Sequence, residues 1–153
     1  MSLLLVQHGK NLPKDKDPEK GLSPEGKKNV EQVAGTLRSN NVSVSSIWHS
    51  GLKRARQTAD IFAASLGSGI EVLEKEGLAP LDDVTKLNPD PDENIMLVGH
   101  LPFMERLVSF LLTDSPDRPP VVKFKNGGVV AIDRDIKTGS WFIKWTLFPH
   151  FNQ

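Results

Sequence analysis

Three side chains suited to handling a phosphoryl group stand at equivalent places in this chain: His8, Arg54 and His100. Each lies at or just beyond the end of a short apolar run: Leu3-Leu4-Leu5-Val6, the end of Val42 to His49, and Ile95-Met96-Leu97-Val98. A neutral imidazole can attack phosphorus, and either imidazole can donate a hydrogen bond to a charged oxygen. A guanidinium fork grips phosphate oxygens two at a time. Gln7 and Gly9 flank His8, and Gly99 precedes His100. Gly9 allows a close approach of the backbone or a positive φ.

Such a site needs elements that bring the three residues together. Short apolar runs bounded by glycine suit the central strands of an α/β sheet, buried on both faces. Open sheets of this kind bind ligands beyond the carboxyl ends of their strands. Parallel strands would therefore converge His8, Arg54 and His100 on one edge. Between the runs the spacing turns helical. Ser23 is a natural N-cap, with Pro24 in the first helical position and Glu25 at the positive end of the dipole. Val30, Val33, Ala34 and Leu37 follow on one face. A second helix is predicted after Ser50, with Ser50 as its cap, Leu52, Ala55, Ala59, Phe62 and Leu66 buried, and Gly67 as its stop. Arg54 falls in its first turn, where backbone amides already favour an anion. Ile70 to Leu73 reads as a third strand and Glu74 to Asp92 as loop with one helical turn near Asp83 to Leu87. A third helix follows Pro102 and buries Phe103, Leu107, Phe110 and Leu111.

The last third reads as strands. Val121 to Phe124 and Val129 to Ile132 flank Asn126-Gly127-Gly128, and Trp141 to Leu147 follows a charged turn. Trp141, Ile143, Trp145 and Leu147 are expected to share one core-facing side. The prediction is a single domain over residues 1–153: a three-layer α/β/α sandwich with a mostly parallel central sheet and a C-terminal hairpin addition.

Composition narrows the classes of function. The 153 residues carry 19 basic and 19 acidic side chains, a balance that argues against nucleic acid and anionic membrane as partners. The absence of cysteine excludes disulfides, thiolate catalysis and zinc–thiolate sites. No apolar run has the length of a membrane span or the form of a signal peptide, so a cytoplasmic protein is expected. The remaining histidines, His49 and His150, read as a supporting residue near the pocket and a structural or exposed one. The charged loop from Asn11 to Gly21 could form a rim.

Four segments resemble the histidine phosphatase superfamily, the phosphoglycerate mutase-like fold. Gln7-His8-Gly9 is similar to its Arg-His-Gly signature, and Leu22-Ser23-Pro24-Glu25-Gly26 to its helix start. Ser50-Gly51-Leu52-Lys53-Arg54-Ala55-Arg56-Gln57-Thr58-Ala59 matches the second signature, and Val98-Gly99-His100-Leu101-Pro102 resembles the second histidine segment. Length and the His-Leu-Pro sequence look most like the short bacterial SixA-type phosphohistidine phosphatases. The resemblance implies a hydrolase without metal or other cofactor. His8 would be the nucleophile, Arg54 the phosphate ligand and His100 the stabiliser of charge on the transferring group. Gln7, Gly9, Arg54 and Asn126 are the expected substrate-binding residues. The implied partner is a phosphorylated protein, such as a histidine phosphotransfer domain, or a small phosphorylated substrate.

No acidic proton donor matches the motif of the ester-cleaving branches, although Glu74, Glu76, Asp82 and Asp83 fall in the corresponding region. A protonated imidazole leaves readily without such an acid, which favours phosphohistidine over phosphoesters. Gln7 departs from the family arginine and removes one charged phosphate ligand. It raises a second expectation, a module that binds phosphate or phosphoprotein with little turnover. A small-molecule phosphomonoesterase is the third. Lys10 and Lys53 are the nearby residues able to restore positive charge.

Overall fold

The computed structural model describes residues 2–149. Six strands form one sheet: β1 (Leu3–Gln7), β2 (Ser46–His49), β3 (Glu71–Glu74), β4 (Ile95–Gly99), β5 (Val129–Arg134) and β6 (Trp141–Leu147). Three helices accompany them: α1 (Pro24–Ser39), α2 (Lys53–Leu66) and α3 (Phe103–Thr113). The spatial order is β3-β2-β4-β1-β5-β6. The first four strands in that order are mutually parallel, and β5 and β6 add on antiparallel. The predicted α/β class, parallel centre and C-terminal hairpin are all present.

The alternation of β1 explains its unbroken apolar run. Leu4 and Val6 pack beneath α1 and α2 with Val30, Val33, Leu37, Ala55, Ala59 and Phe62. Leu3 and Leu5 face the other way, onto Phe103, Met104, Leu107 and Val108 of α3. A strand covered on both faces has no solvent side, so every position is apolar. Each such side chain contributes about 1.5–3 kcal/mol on full burial.

Two local expectations needed correction. Val121 to Phe124 is not a strand. Its backbone donors are used by α3 side chains instead: the Phe124 N–H donates to Glu105 Oε2 at 2.9 Å and the Val121 N–H to Ser109 Oγ at 3.4 Å. Phe124 is thereby buried against α3. In β6 the four apolar residues do not share one side. The register shifts between Ala131 and Ile132, which pair with Trp145 and Ile143, leaving Lys144 as the extra residue. The irregularity turns the strand over. Trp145 and Leu147 pack on the α1/α2 side, and Trp141 and Ile143 on the α3 side.

The predicted turn near Asp83 to Leu87 is a 3-10 turn, Val84–Lys86, capped by Asp83. It places Val84 in the core beside Leu78. No helix among the described residues is long and apolar enough to cross a membrane.

Candidate functional site

Strand register brings the predicted residues together. Gln7 of β1 pairs with Gly99 of β4, so the next residues, His8 and His100, leave neighbouring strands side by side. The His8 N–H donates to the Gly99 carbonyl at 3.0 Å, and the two imidazole rings lie 5.0 Å apart, tilted by 52°. The chain leaves β1 toward α1 on one face, whereas β4 leads into α3 on the other. This divergence between adjacent parallel strands opens a crevice of the kind in which α/β sheets bind ligands.

His8 is 7% exposed. Its Nδ1 lies 2.7 Å from the Gly9 carbonyl. A carbonyl only accepts, so Nδ1 carries the proton and Nε2 keeps its lone pair. Burial, with a smaller push from Arg54 and against the Gly9 hydrogen bond, lowers the His8 pKa to about 4. The imidazole is neutral at pH 7, as a nucleophile requires. The turn that carries it is fixed from three sides. The Gly9 N–H donates to Thr58 Oγ1 at 3.0 Å, and the Thr58 hydroxyl donates to the Arg54 carbonyl at 2.8 Å. Asn126 Nδ2 donates to the His8 carbonyl at 3.2 Å, and the Gly127 N–H to the Gln7 carbonyl at 2.9 Å. Gly127 has φ +77°, which favours glycine. Gly9 is required by close approach rather than by a positive φ: a Cβ there would stand 2.7 Å from Val30 Cγ2.

His100 is 1% exposed, and burial, then His8 and Arg54, lower its pKa to about 3. Its Nε2 lies 2.6 Å from Ser50 Oγ. The predicted capping role of Ser50 is therefore a correction. The α2 helix starts after Leu52 with no side-chain cap, and the Ser50 hydroxyl serves the histidine. Pairing of His49 with Val98 sets Ser50 beside the end of β4. The Leu52 N–H also donates to Ser50 Oγ at 3.4 Å. Nδ1 of His100 is buried with no hydrogen-bond partner among the described residues. An unpaired buried polar atom costs about 1–3 kcal/mol, which an incoming partner would recover. Ser50→Ala is expected to free the ring and lower turnover about tenfold, equivalent to ~1.4 kcal/mol, with the fold intact. Steady-state kinetics beside a thermal melt checks this, and an unchanged rate removes Ser50 from the machinery.

Arg54 sits in the first turn of α2, half-buried. Its guanidinium has no ion pair among the described residues, and burial lowers its pKa. Its charge depresses both imidazoles, so it lies within electrostatic reach of each. Lys53 points elsewhere, bonding Asp17 at 2.8 Å with Glu19 at 3.7 Å, and ties the Asn11–Gly21 loop to α2. Lys10 pairs with Glu25 at 3.0 Å and lines, with Gln7, Leu101, Lys125 and Asn126, a cavity of about 480 Å³. Gln7 is 8% exposed, and its Oε1 is buried without a hydrogen-bond partner among the described residues. His49 is buried, and its Nδ1 accepts the Gly51 N–H at 3.0 Å, shaping the turn before α2. His150 lies outside the described residues.

Of the acidic residues between Glu74 and Asp83, none hydrogen-bonds either imidazole in the described contacts. Asp82 accepts the Ala79 N–H and Asp83 the Thr85 N–H. Glu76, Asp82 and Asp83 nevertheless line, with Ser50, a cavity of about 690 Å³.

The buried neutral histidines carry a stability consequence. In the unfolded chain they bind protons near pH 6.5, but in the folded chain only near 4 and about 3. Between those values the unfolded state holds more protons, so stability is intact above about pH 6.5 and declines as the pH falls toward 4. Urea midpoints should drop by the equivalent of roughly a few kcal/mol between pH 7 and pH 4.5. A double variant, His8→Asn with His100→Asn, should flatten that dependence.

A family model for the histidine phosphatase superfamily (branch 1) matches residues 3–83. The chain belongs to this superfamily, as its motifs suggested. Its fold is shared by the protein histidine phosphatase SixA solved with tungstate, at TM-score 0.75, 22% identity and 97% coverage of both chains. A phosphoserine phosphatase from Entamoeba histolytica, solved with 3-phosphoglyceric acid, is similar at TM-score 0.68 and 18% identity, over 97% of this chain and 98% of that one. A mycobacterial glucosyl-3-phosphoglycerate phosphatase is similar at TM-score 0.69 and 14% identity, over 94% and 97%. No curated protein matches the sequence significantly.

Proposed function

We propose that this protein is a phosphatase that works through a phosphohistidine on His8, with protein-borne phosphohistidine as substrate. One observation carries the reading: a half-buried Arg54 guanidinium, without an ion pair among the described residues, within electrostatic reach of two neutral imidazoles 5.0 Å apart. An unmatched buried cation is costly unless an anion occupies the site for part of the cycle. In the proposed reaction His8 Nε2 attacks phosphorus as the bond to the substrate nitrogen breaks, and the substrate imidazole leaves protonated. Water then cleaves the His8–phosphorus bond and releases phosphate. Arg54 and the His100 imidazole hold the oxygens on which charge develops. No metal ion takes part.

Phosphohistidine is favoured because no carboxylate among the described residues is bonded at the imidazole pair, and a protonated imidazole needs no acid to leave. The similarity to the protein histidine phosphatase SixA points the same way. A second reading, phosphomonoester hydrolysis, is favoured by Glu76, Asp82 and Asp83 in the cavity beside Ser50. Phosphate release from a phosphohistidine-bearing protein and from a panel of phosphomonoesters, each with a chelator, separates the two. Faster release from the esters would overturn the phosphohistidine reading. Phosphate binding without any His8 phosphoenzyme would make the protein a binding module.

A further inference from the structure

The charge inventory at the strand ends is smaller than the chemistry of a phosphate dianion calls for. Arg54 is the cation whose charge acts on both imidazoles; Lys53 is committed to Asp17, and Lys75, half-buried just after β3, lies 4.8 Å over the Trp48 ring. His8 and His100 are neutral at pH 7. Gln7, with a side chain more than nine-tenths buried, contributes an amide that carries no charge whichever way it is turned. Lys10 and Lys125 line the adjoining cavity, but both are exposed, and Lys10 is paired with Glu25. Their charge acts through solvent and is screened.

One fixed cation balances one negative charge. A dianion held against Arg54 would leave a second charge in a partly desolvated crevice with nothing to neutralise it. We infer that Gln7 tunes this pocket to a phosphoryl group of single net charge, so that a phosphate monoanion binds in preference to the dianion. The inference rests on the phosphoryl-transfer reading above and deepens it. A phosphoryl group on a protonated imidazole carries one net negative charge, whereas a phosphomonoester is largely dianionic above its second pKa of about 6. The same charge match therefore selects phosphohistidine over esters. Gln7 is in this sense a specificity-determining residue.

The test is binding of inorganic phosphate to the whole protein by calorimetry, from below to two pH units above the second ionisation of phosphate. The charged groups facing the pocket are Arg54 from α2, Glu25 from α1, Lys10 and Lys125 from the loops after β1 and before β5, and Lys75, Glu76, Asp82, Asp83 and Lys86 from the segment after β3 that lines the cavity beside Ser50. The wild-type dissociation constant should rise about tenfold per pH unit above that ionisation, because the competent fraction of ligand falls tenfold. Gln7→Arg should abolish or reverse this slope. Gln7→Met, uncharged and of similar size, should keep it at weaker affinity. Wild-type affinity that is flat, or tightens, through the ionisation overturns the inference without need of a variant. If a His8 phosphoenzyme still forms in that case, the phosphatase reading stands and only the charge selection fails. Neither phosphate binding nor a phosphoenzyme overturns both.

Discussion

His8→Ala is expected to abolish phosphate release, by at least about ten-thousandfold, because the substitution removes the atom that forms the covalent bond in the proposed reaction. The fold should tolerate it. The turn is held by backbone contacts from Gly99, Thr58, Asn126 and Gly127, none of which uses the imidazole. His8→Asn, which leaves a smaller void, should be equally inactive. Incubation with a labelled phosphohistidine donor, followed by denaturation under alkaline conditions that preserve a phosphorus–nitrogen bond, should leave label on the wild type and none on either variant. Substantial release by His8→Ala would require another nucleophile. His100→Ala is expected to be damaging but to retain labelling on His8, since that residue stabilises charge and does not bond to phosphorus in the proposed reaction.

The second large effect lies outside the pocket. Gly26, in the first turn of α1, is buried, and an added Cβ would overlap the Lys10 carbonyl oxygen. That carbonyl also receives the Ser23 N–H at 2.9 Å and the Ser23 hydroxyl at 3.2 Å. It cannot retreat without losing both bonds and dragging Gly9 and His8 with it. Alanine in a helix gains about 1 kcal/mol over glycine, but overlap with rigid backbone costs about 3 kcal/mol or more. Gly26→Ala should therefore lower stability by about 2 kcal/mol and the melting temperature by roughly 6 °C. Gly35 supplies the contrast. It lies in the same helix with nothing near its absent side chain, so Gly35→Ala should stabilise by about 0.5–1 kcal/mol. If the two substitutions had the same sign, the close approach at Gly26 would not exist in solution.

What could be read from the chain, and what could not, divides along the range of the interactions. The buried strands β1 and β4 and the start of α1 were legible because their signals are local. A run such as Leu3 to Val6 has no polar face to offer, and Ser23-Pro24-Glu25 supplies a cap, a fixed φ and a favourable charge within three residues. The convergence of His8 and His100 followed from parallel strands alone. Ser50 was misread because its local context, a serine before a helix, fits a cap, whereas its partner His100 is fifty residues away. Val121 to Phe124 has the composition of a strand, yet Glu105 and Ser109 take its donors. The bulge in β6 depends on pairing with β5, which no alternation within β6 reveals. Thr58 is visible in the sequence only as a residue one turn from Arg54. Its bond to Gly9 spans forty-nine positions.

The position of β1 also bears on how the protein is made. This strand pairs with β4 on one side and β5 on the other. Leu4 must wait for Met96, and Val6 for Val129, before either edge is satisfied. The residue bonded to the His8 carbonyl, Asn126, is translated 118 positions later. During synthesis β1 thus waits unpaired until β4 and β5 emerge, while α1, α2 and β2 are already complete. A nascent chain stalled before Val129 would hold His8 with no finished cradle around it, and β1 would present an open edge to other chains. The cradle around His8 is complete only once Asn126 and β5 have been translated.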